Sequence, residues 1–356
     1  MNAPATLAPS AFESVAADYR RLLLRRLSII GLLVIALIAA FAVDVASGPS
    51  GLSIGTLVAG IFHPSHLDRV TAAIIWNVRL PYALMALLVG ASLSLCGAEM
   101  QAILDNPLAS PFTLGVSSAA ALGASLAIVF GFALPWLPAN AAVTVCAFIC
   151  AFASVLLLQF MSRLRGAGVE TLVLFGIALV FSCNAIVALL QLIATEDVLQ
   201  QLIFWTLGSV ARADWQKVGI LALILALLAP FSFMAAPALT ALRLGEDRAR
   251  SFGVDVRRLR FLSLFRISLL SATAVAFVGT IGFIGLVGPH IARLLVGEDQ
   301  RYLLPASALT GALLLSLSSI ASKFIMPGVI VPVGIVTALV GVPIFVLLVF
   351  KRGRRL

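Results

Sequence analysis

The chain has 356 residues, 62% of them hydrophobic and 11% charged, with a mean hydropathy of +1.13. Soluble domains carry about a quarter charged residues, so this composition excludes a soluble enzyme; the length suits about ten membrane spans of ~20 residues instead. The net charge of +9 is distributed between apolar runs, which marks membrane topology and not a nucleic-acid footprint.

Residues 1–26 are polar and end in Arg20, Arg21, Arg25 and Arg26. They read as a cytoplasmic segment. The apolar run 27–46 follows a leader too long for a cleavable signal, so it is a retained first span. Further spans are expected near 80–103, 112–132, 140–160, 171–193, 216–236, 261–281, 282–297, 302–322 and 331–350. The fold class is therefore all-α and polytopic, with one transmembrane domain over 27–350 and a basic cytoplasmic tail over 351–356. With the N-terminus inside, the inner loops collect Arg163, Arg165, Arg243, Arg248, Arg250, Arg257, Arg258, Arg260, Arg301 and the tail cations. The outer segments hold only Arg69, Arg79, Arg212, Lys217 and Lys323. That bias places both termini in the cytoplasm.

Two outer stretches are more than turns. Residues 48–76 are mildly apolar and expected to lie at the interface; residues 195–215 carry Trp205 and Trp215, expected as interfacial anchors. The longest inner loop, 237–260, contains LGEDRARSFGVDVRRL. A short helix closed by Gly253 would bring Leu244, Ala249 and Phe252 broadly together, as a lipid anchor or as a docking helix for a cytoplasmic partner.

Chemical motifs are few. There is no GxxxxGK[ST], HExxH or CxxC, so the chain has no P-loop for a nucleotide and no metal-enzyme signature. His63 and His66 sit three apart in an outer loop without a third ligand, and Cys146 and Cys150 share an apolar helix face; neither pair is read as a metal site. Cys96 and Cys183 also lie in apolar runs and imply no disulfide. Asp44 and Glu99 are acidic residues near span ends, and Glu99 can snorkel or pair with an inner arginine. Asn184 and Gln191 are seven apart, hence on one helical face, and either line a polar route or bond a neighbouring helix. The run GTIGFIGLVGPH sets Gly279, Gly282, Gly285 and Gly288 at a three-residue repeat before Pro289 and His290, which predicts close backbone approach and a broken helix. In NPLASP, Asn106 and Pro107 open an inner turn.

Taken together, several segments resemble one family. RLPY (79–82), GAEMQAILDNPLASPFTLGVSSAAALGA (97–124), LVLFGIAL (172–179), FWTLGS (204–209), LRLGEDRARSFGV (242–254), GFIGLVGPHIARLLVGEDQRYLLPASALTGA (282–312) and PVGIVTALVGVPIF (332–345) occur in the order found in FecCD-like, BtuC-like permeases of type II ABC importers. Those permeases serve ferric siderophore, haem and cobalamin uptake. The resemblance covers roughly residues 75–350 and implies ten helices, a homodimer with one route at its interface, a cytoplasmic ABC ATPase dimer that uses the ATP, and a periplasmic substrate-binding protein. It implies a bacterial inner-membrane permease with no cofactor, metal or nucleic acid of its own and, by base rate, a ferric siderophore as cargo, with haem or cobalamin as alternatives. A stand-alone secondary transporter is the competing class, disfavoured by the scarcity of midplane carboxylates.

By the same resemblance, Leu244, Gly245, Glu246, Ala249, Phe252 and Gly253 form the ATPase-coupling surface. Arg79 and Lys323 are the cations offered to the binding protein. Tyr82 replaces a second arginine there, Ser319 and Lys323 stand where the family has Asp and Arg, and Val331 stands for a Glu. The inner gate is expected at Gly168, Val169, Glu170 and Thr171, with the route running along Phe175, Asn184 and Gln191.

Overall fold

The computed structural model describes residues 9–48, 55, 56, 60, 68–132, 139–164, 169–326 and 328–353. Its apolar runs are helices because hydrocarbon offers no partner to a backbone N–H or C=O, and a helix satisfies both within its own segment. The chain forms α1 (Pro9–Ala46), α2 (Arg69–Ile103), α3 (Val116–Val129), α4 (Ala139–Leu164), α5 (Val169–Ile193) and α6 (Glu196–Thr206). It continues with α7 (Trp215–Met234), α8 (Ala236–Leu242), α9 (Glu246–Ser251), α10 (Val256–Val278), α11 (Ile284–Val296), α12 (Gln300–Phe324) and α13 (Val333–Gly353). Among the described residues, seven helices are long and apolar enough to cross a membrane, and α3, α11 and α13 supply three shorter apolar segments. All ten expected spans thus correspond to helices.

α2 is the central post. It packs along α10, α11 and α12, and 72% of its most apolar window is buried, against 22% in α1, α5 and α7. The contact is close because it is made by glycines. A Cβ on Gly97 would collide with the Gly285 carbonyl, and one on Gly90, two turns earlier, with the Gly311 carbonyl. The repeat around Gly285 therefore does bring backbones together. The expected break is also present: α10 stops at Val278 and α11 starts at Ile284, so the eighth span shortens to 13 residues, about 20 Å of helix.

Several boundaries differ from expectation. α1 begins at Pro9, not near residue 27, because nothing between Ser10 and Ile30 is Gly or Pro and the segment is rich in Ala, Leu and Arg. Arg26 fixes the extension to α12, 3.5 Å from Asp299 and 5.0 Å over the Tyr302 ring. Residues 69–76 are not an interfacial loop but the first turns of α2, started by Asp68, whose side chain accepts from the Thr71 amide at 3.0 Å. A π turn over Ile75–Arg79 precedes Pro81, whose missing N–H leaves the Asn77 carbonyl without its regular donor. Most of the rest of the expected interfacial stretch, including His63 and His66, lies outside the described residues. Trp205 is buried and not an anchor at a surface, whereas Trp215 is exposed and donates from Nε1 to the Trp76 carbonyl at 2.7 Å.

The helices define two ends. At one, termed the α6 end, lie the C-termini of α1, α6, α10 and α12. At the other, the α9 end, lie the C-termini of α2 and α11 with α8 and α9.

Candidate functional site: the coupling segment and its anchor

α7 passes into α8 through Pro237, placed in the first helical turn where its missing N–H costs nothing. Arg243 closes α8. Gly245, with φ +105, turns the chain into α9, and Gly253, with φ +80, ends it. Only glycine enters such φ values without strain. The Gly253 amide donates to the Arg250 carbonyl at 2.9 Å and the Val254 amide to the Ala249 carbonyl at 3.0 Å. Asp255 then caps α10 through the Arg258 amide at 2.9 Å. Two sharp corners fold α8 and α9 over a small apolar cluster of Leu242, Ala249 and Val256.

This geometry divides the six expected coupling residues. Leu244 and Phe252 are 53% and 68% exposed, at the two corners beside exposed Gly245 and Gly253. Ala249 is wholly buried and cannot join a surface with them. On a six-residue helix entered and left by glycine turns, the corner side chains swing outward while the middle one packs inward. Glu246 is half-buried, with carboxylate oxygens 2.5 Å from Arg260 and 3.2 Å from Arg250.

The segment stands on the last turn of α2. Arg260 Nε of α10 donates to the Ile103 carbonyl at 3.1 Å. Arg293 Nη2 of α11 donates to Gln101 Oε1 at 2.9 Å. One turn deeper, Glu99 is 1% exposed, paired with Arg266 and accepting from Ser232 Oγ at 2.9 Å; Arg266 also donates to Ser263 Oγ at 3.0 Å. Three arginines from two helices thus converge where the backbone dipole of α2 is negative. Glu99 finds its partner inside the bundle and not by snorkelling. Arg266 escaped sequence reasoning because its run reads as an apolar span. An arginine within a span needs an acid, and that requirement alone could have linked it to Glu99.

Asn106 forms the expected turn, accepting the Leu108 amide on Oδ1 at 2.9 Å. With Pro107, Arg243, Arg293 and Glu298 it lines a polar cavity of about 210 Å³ beneath the coupling segment. Gly285 and Pro289 are buried in α11 and His290 is half-buried beside them, so these motif residues build the helix contact.

The α6 end corrects the docking expectation. Arg79 is buried and donates from Nη1 to the carbonyls of Val45 and Ala46 at 3.0 and 2.9 Å, closing the C-terminus of α1. Lys323 Nζ lies 2.6 Å from both the carbonyl and the Oδ1 of Asp44, with Ser319 Oγ donating to the same Oδ1 at 2.9 Å. Both side chains are buried against the end of α1. Asp44 of α1 supplies the carboxylate that lets Lys323 sit beside Ser319 in a buried place. Arg212 follows the same rule, reaching the carbonyls of Phe204 and Trp205 on α6 and Val278 on α10. Burial lowers its pKa to about 10, so it stays charged at neutral pH. It also lines a cavity of about 690 Å³ with Lys217, Asp197, Gln200, Gln201 and Thr144.

On α5, Phe175 is half-buried against the core, Gln191 is half-buried, and Thr171 and Asn184 are exposed. Val169 and Glu170 begin the helix, and Gly168 lies outside the described residues. The outward face of α5 is apolar, with Leu174, Phe181 and Leu192 each more than 60% exposed. Among the described residues no three His, Cys, Asp or Glu side chains are grouped to hold a metal, and the four cysteines are free.

Comparison with known proteins agrees with this architecture. The model of the FecCD transport family matches residues 32–351. The hemin transport system permease protein HmuU of Yersinia pestis is 39% identical over 78% of this chain and 84% of its own length. The vitamin B12 import system permease protein BtuC of Salmonella typhi is 38% identical over 79% and 84%. A solved structure described as an inward-facing conformation of a metal-chelate type ABC transporter superposes with a TM-score of 0.79 at 33% identity, covering 91% of this chain and 99% of that one.

Proposed function

This chain belongs to the FecCD transport family, and from that premise we propose that it carries a ferric siderophore from a periplasmic binding protein into the cytoplasm. It is a multi-pass ABC importer permease and not an enzyme; ATP hydrolysis belongs to a separate ATPase subunit. The observation that carries the mechanism is the coupling segment. Leu244 and Phe252 stand out from a base that Glu246, Arg260 and the last turn of α2 hold in place. Exposed apolar anchors on a rigid base are what a partner pocket recognises. The α9 end is then cytoplasmic, both termini lie inside, and the membrane is the bacterial inner membrane.

A second copy of the chain covers the apolar face of α5, and the route runs between the copies. Phe175, Asn184 and Gln191 border it, and Gly168, Val169, Glu170 and Thr171 form its inner gate. Beyond Glu170 the helix carries no charge, which suits a bulky chelate that must pass without being held. The binding protein meets the α6 end. There Arg79 and Lys323 shape the surface from beneath by holding helix ends together. The cargo reading rests on a structural neighbour of metal-chelate type and the prevalence of siderophores in this family; the relative named for hemin transport supports the haem alternative.

Uptake of labelled ferric siderophores, haem and cobalamin in a strain lacking the gene, with and without complementation, tests this. Complementation-dependent entry of a ferric siderophore is expected. Entry of haem or cobalamin alone would keep the importer and replace the cargo.

A further inference from the structure

Glu298 lies in the short connection between α11 and α12, at the α9 end. Its Oε2 accepts Arg243 Nη1 and lies 3.0 Å from Arg293 Nε. Arg243 closes α8 and immediately precedes the exposed Leu244. Arg293 belongs to the last turn of α11 and extends its other arm to Gln101 of α2. One carboxylate therefore joins the foot of the coupling segment to the broken helix, and through Arg293 to the central post. A second strap runs beside it: the Gln300 amide donates to Thr240 Oγ1 of α8 at 3.1 Å. Glu246 makes a separate connection, to α10 through Arg260.

The exposure of these groups is graded. The Glu298 side chain is 56% exposed, Arg243 26% and Arg293 13%, while Gln101 is buried. Pairs as open as Arg243–Glu298 contribute little to stability, so the arrangement is poorly explained as a fold-holding element. It is a place where two guanidinium groups from different helices share one oxygen, so the two helix ends are linked through a single side chain. Resting on the reading that the α8–α9 segment docks the ATPase, we propose that Glu298 is the positioning residue that makes α11 follow the coupling segment when the ATPase moves it.

The test uses the full permease bound to its ABC ATPase in proteoliposomes, with native cysteines replaced by serine. Spin labels are placed at the exposed positions Ser251 on α9 and Leu294 on α11 through Ser251→Cys and Leu294→Cys. In the otherwise wild-type protein the label separation is expected to hold within about 1 Å between the nucleotide-free and ATP–vanadate states. In Glu298→Ala, and again in Arg243→Gln, it is expected to shift by about 2 Å or more, the scale of a helix displacement, while the ATPase stays bound. A Glu298→Ala protein that tracks wild type in both states overturns the proposal. So does a wild-type separation that itself changes by 2 Å or more, or an ATPase lost from Glu298→Ala alone, which would make Glu298 a docking contact. If the unlabelled wild type retains no ATPase, the docking reading fails first, and that outcome is read directly from the bound ATPase.

Discussion

The two ends of the bundle use the same residue types in opposite ways. At the α6 end, Arg79, Lys323 and Arg212 are turned inward onto the carbonyls that end α1, α6 and α10. At the α9 end, Arg243, Arg250 and Arg260 share the part-exposed carboxylates of Glu298 and Glu246. A buried cation on a helix C-terminus has no better place to go, since leaving would expose carbonyls and strand a charge. A guanidinium on a part-exposed carboxylate exchanges partners at little cost. The α6 end is therefore fixed, while at the α9 end part-exposed pairs lie over a base that the Arg260–Ile103 and Arg266–Glu99 contacts hold, which suits a segment that a motor subunit moves as one piece.

Variants at four places break or sharpen that contrast. The largest effect is expected at the fixed end. Lys323→Met strands Asp44 and should cost about 3–5 kcal/mol in thermal or denaturant unfolding in detergent, whereas Asp44→Leu with Lys323→Met should recover most of it. Equal losses in the single and double variants would mean that the pair matters for something other than mutual neutralisation. Next comes the central contact. Gly97→Ala drives a methyl into the Gly285 carbonyl and should lower stability by about 1–3 kcal/mol, the range for overpacking; an unchanged melting temperature would show that α2 and α11 can separate.

At the mobile end the effects move from folding to association. Phe252→Ser should leave unfolding within ~0.5 kcal/mol of wild type and weaken ATPase binding about tenfold or more, measured by titration of the purified subunits. Full binding by this variant would move the docking surface elsewhere. Smallest is Glu246→Ala, expected to cost only about 0–1 kcal/mol of stability and readable in the same unfolding assay. A loss several times larger would place Glu246 among the fixed charges and dissolve the distinction.

The helices were legible in the sequence because hydropathy reports burial in lipid directly. Ten apolar runs became ten helices, and GTIGFIGLVGPH announced its own break. Charge partners were not legible, since pairing is settled by packing: Asp44 meets Lys323 across 279 positions and Glu99 meets Arg266 across 167. The reading of Arg79 and Lys323 came from a family resemblance, which carries over the position of a charge but not the direction in which its side chain points. In the coupling segment the helix end at Gly253 was readable, and the corner at Gly245 was not. The inward turn of Ala249 depends on Leu242 and Val256 closing over it.

The central claim is that this permease moves its cargo only when a separate ATPase acts on the α8–α9 segment. Its most direct test is uptake into proteoliposomes of a ferric siderophore delivered by its binding protein, with haem and cobalamin in parallel. Uptake is compared with the ATPase and ATP present and with a proton or sodium gradient alone. The account predicts ATP-dependent uptake that disappears when the ATPase is omitted. Gradient-driven uptake by the permease alone would contradict it and make the chain a secondary transporter.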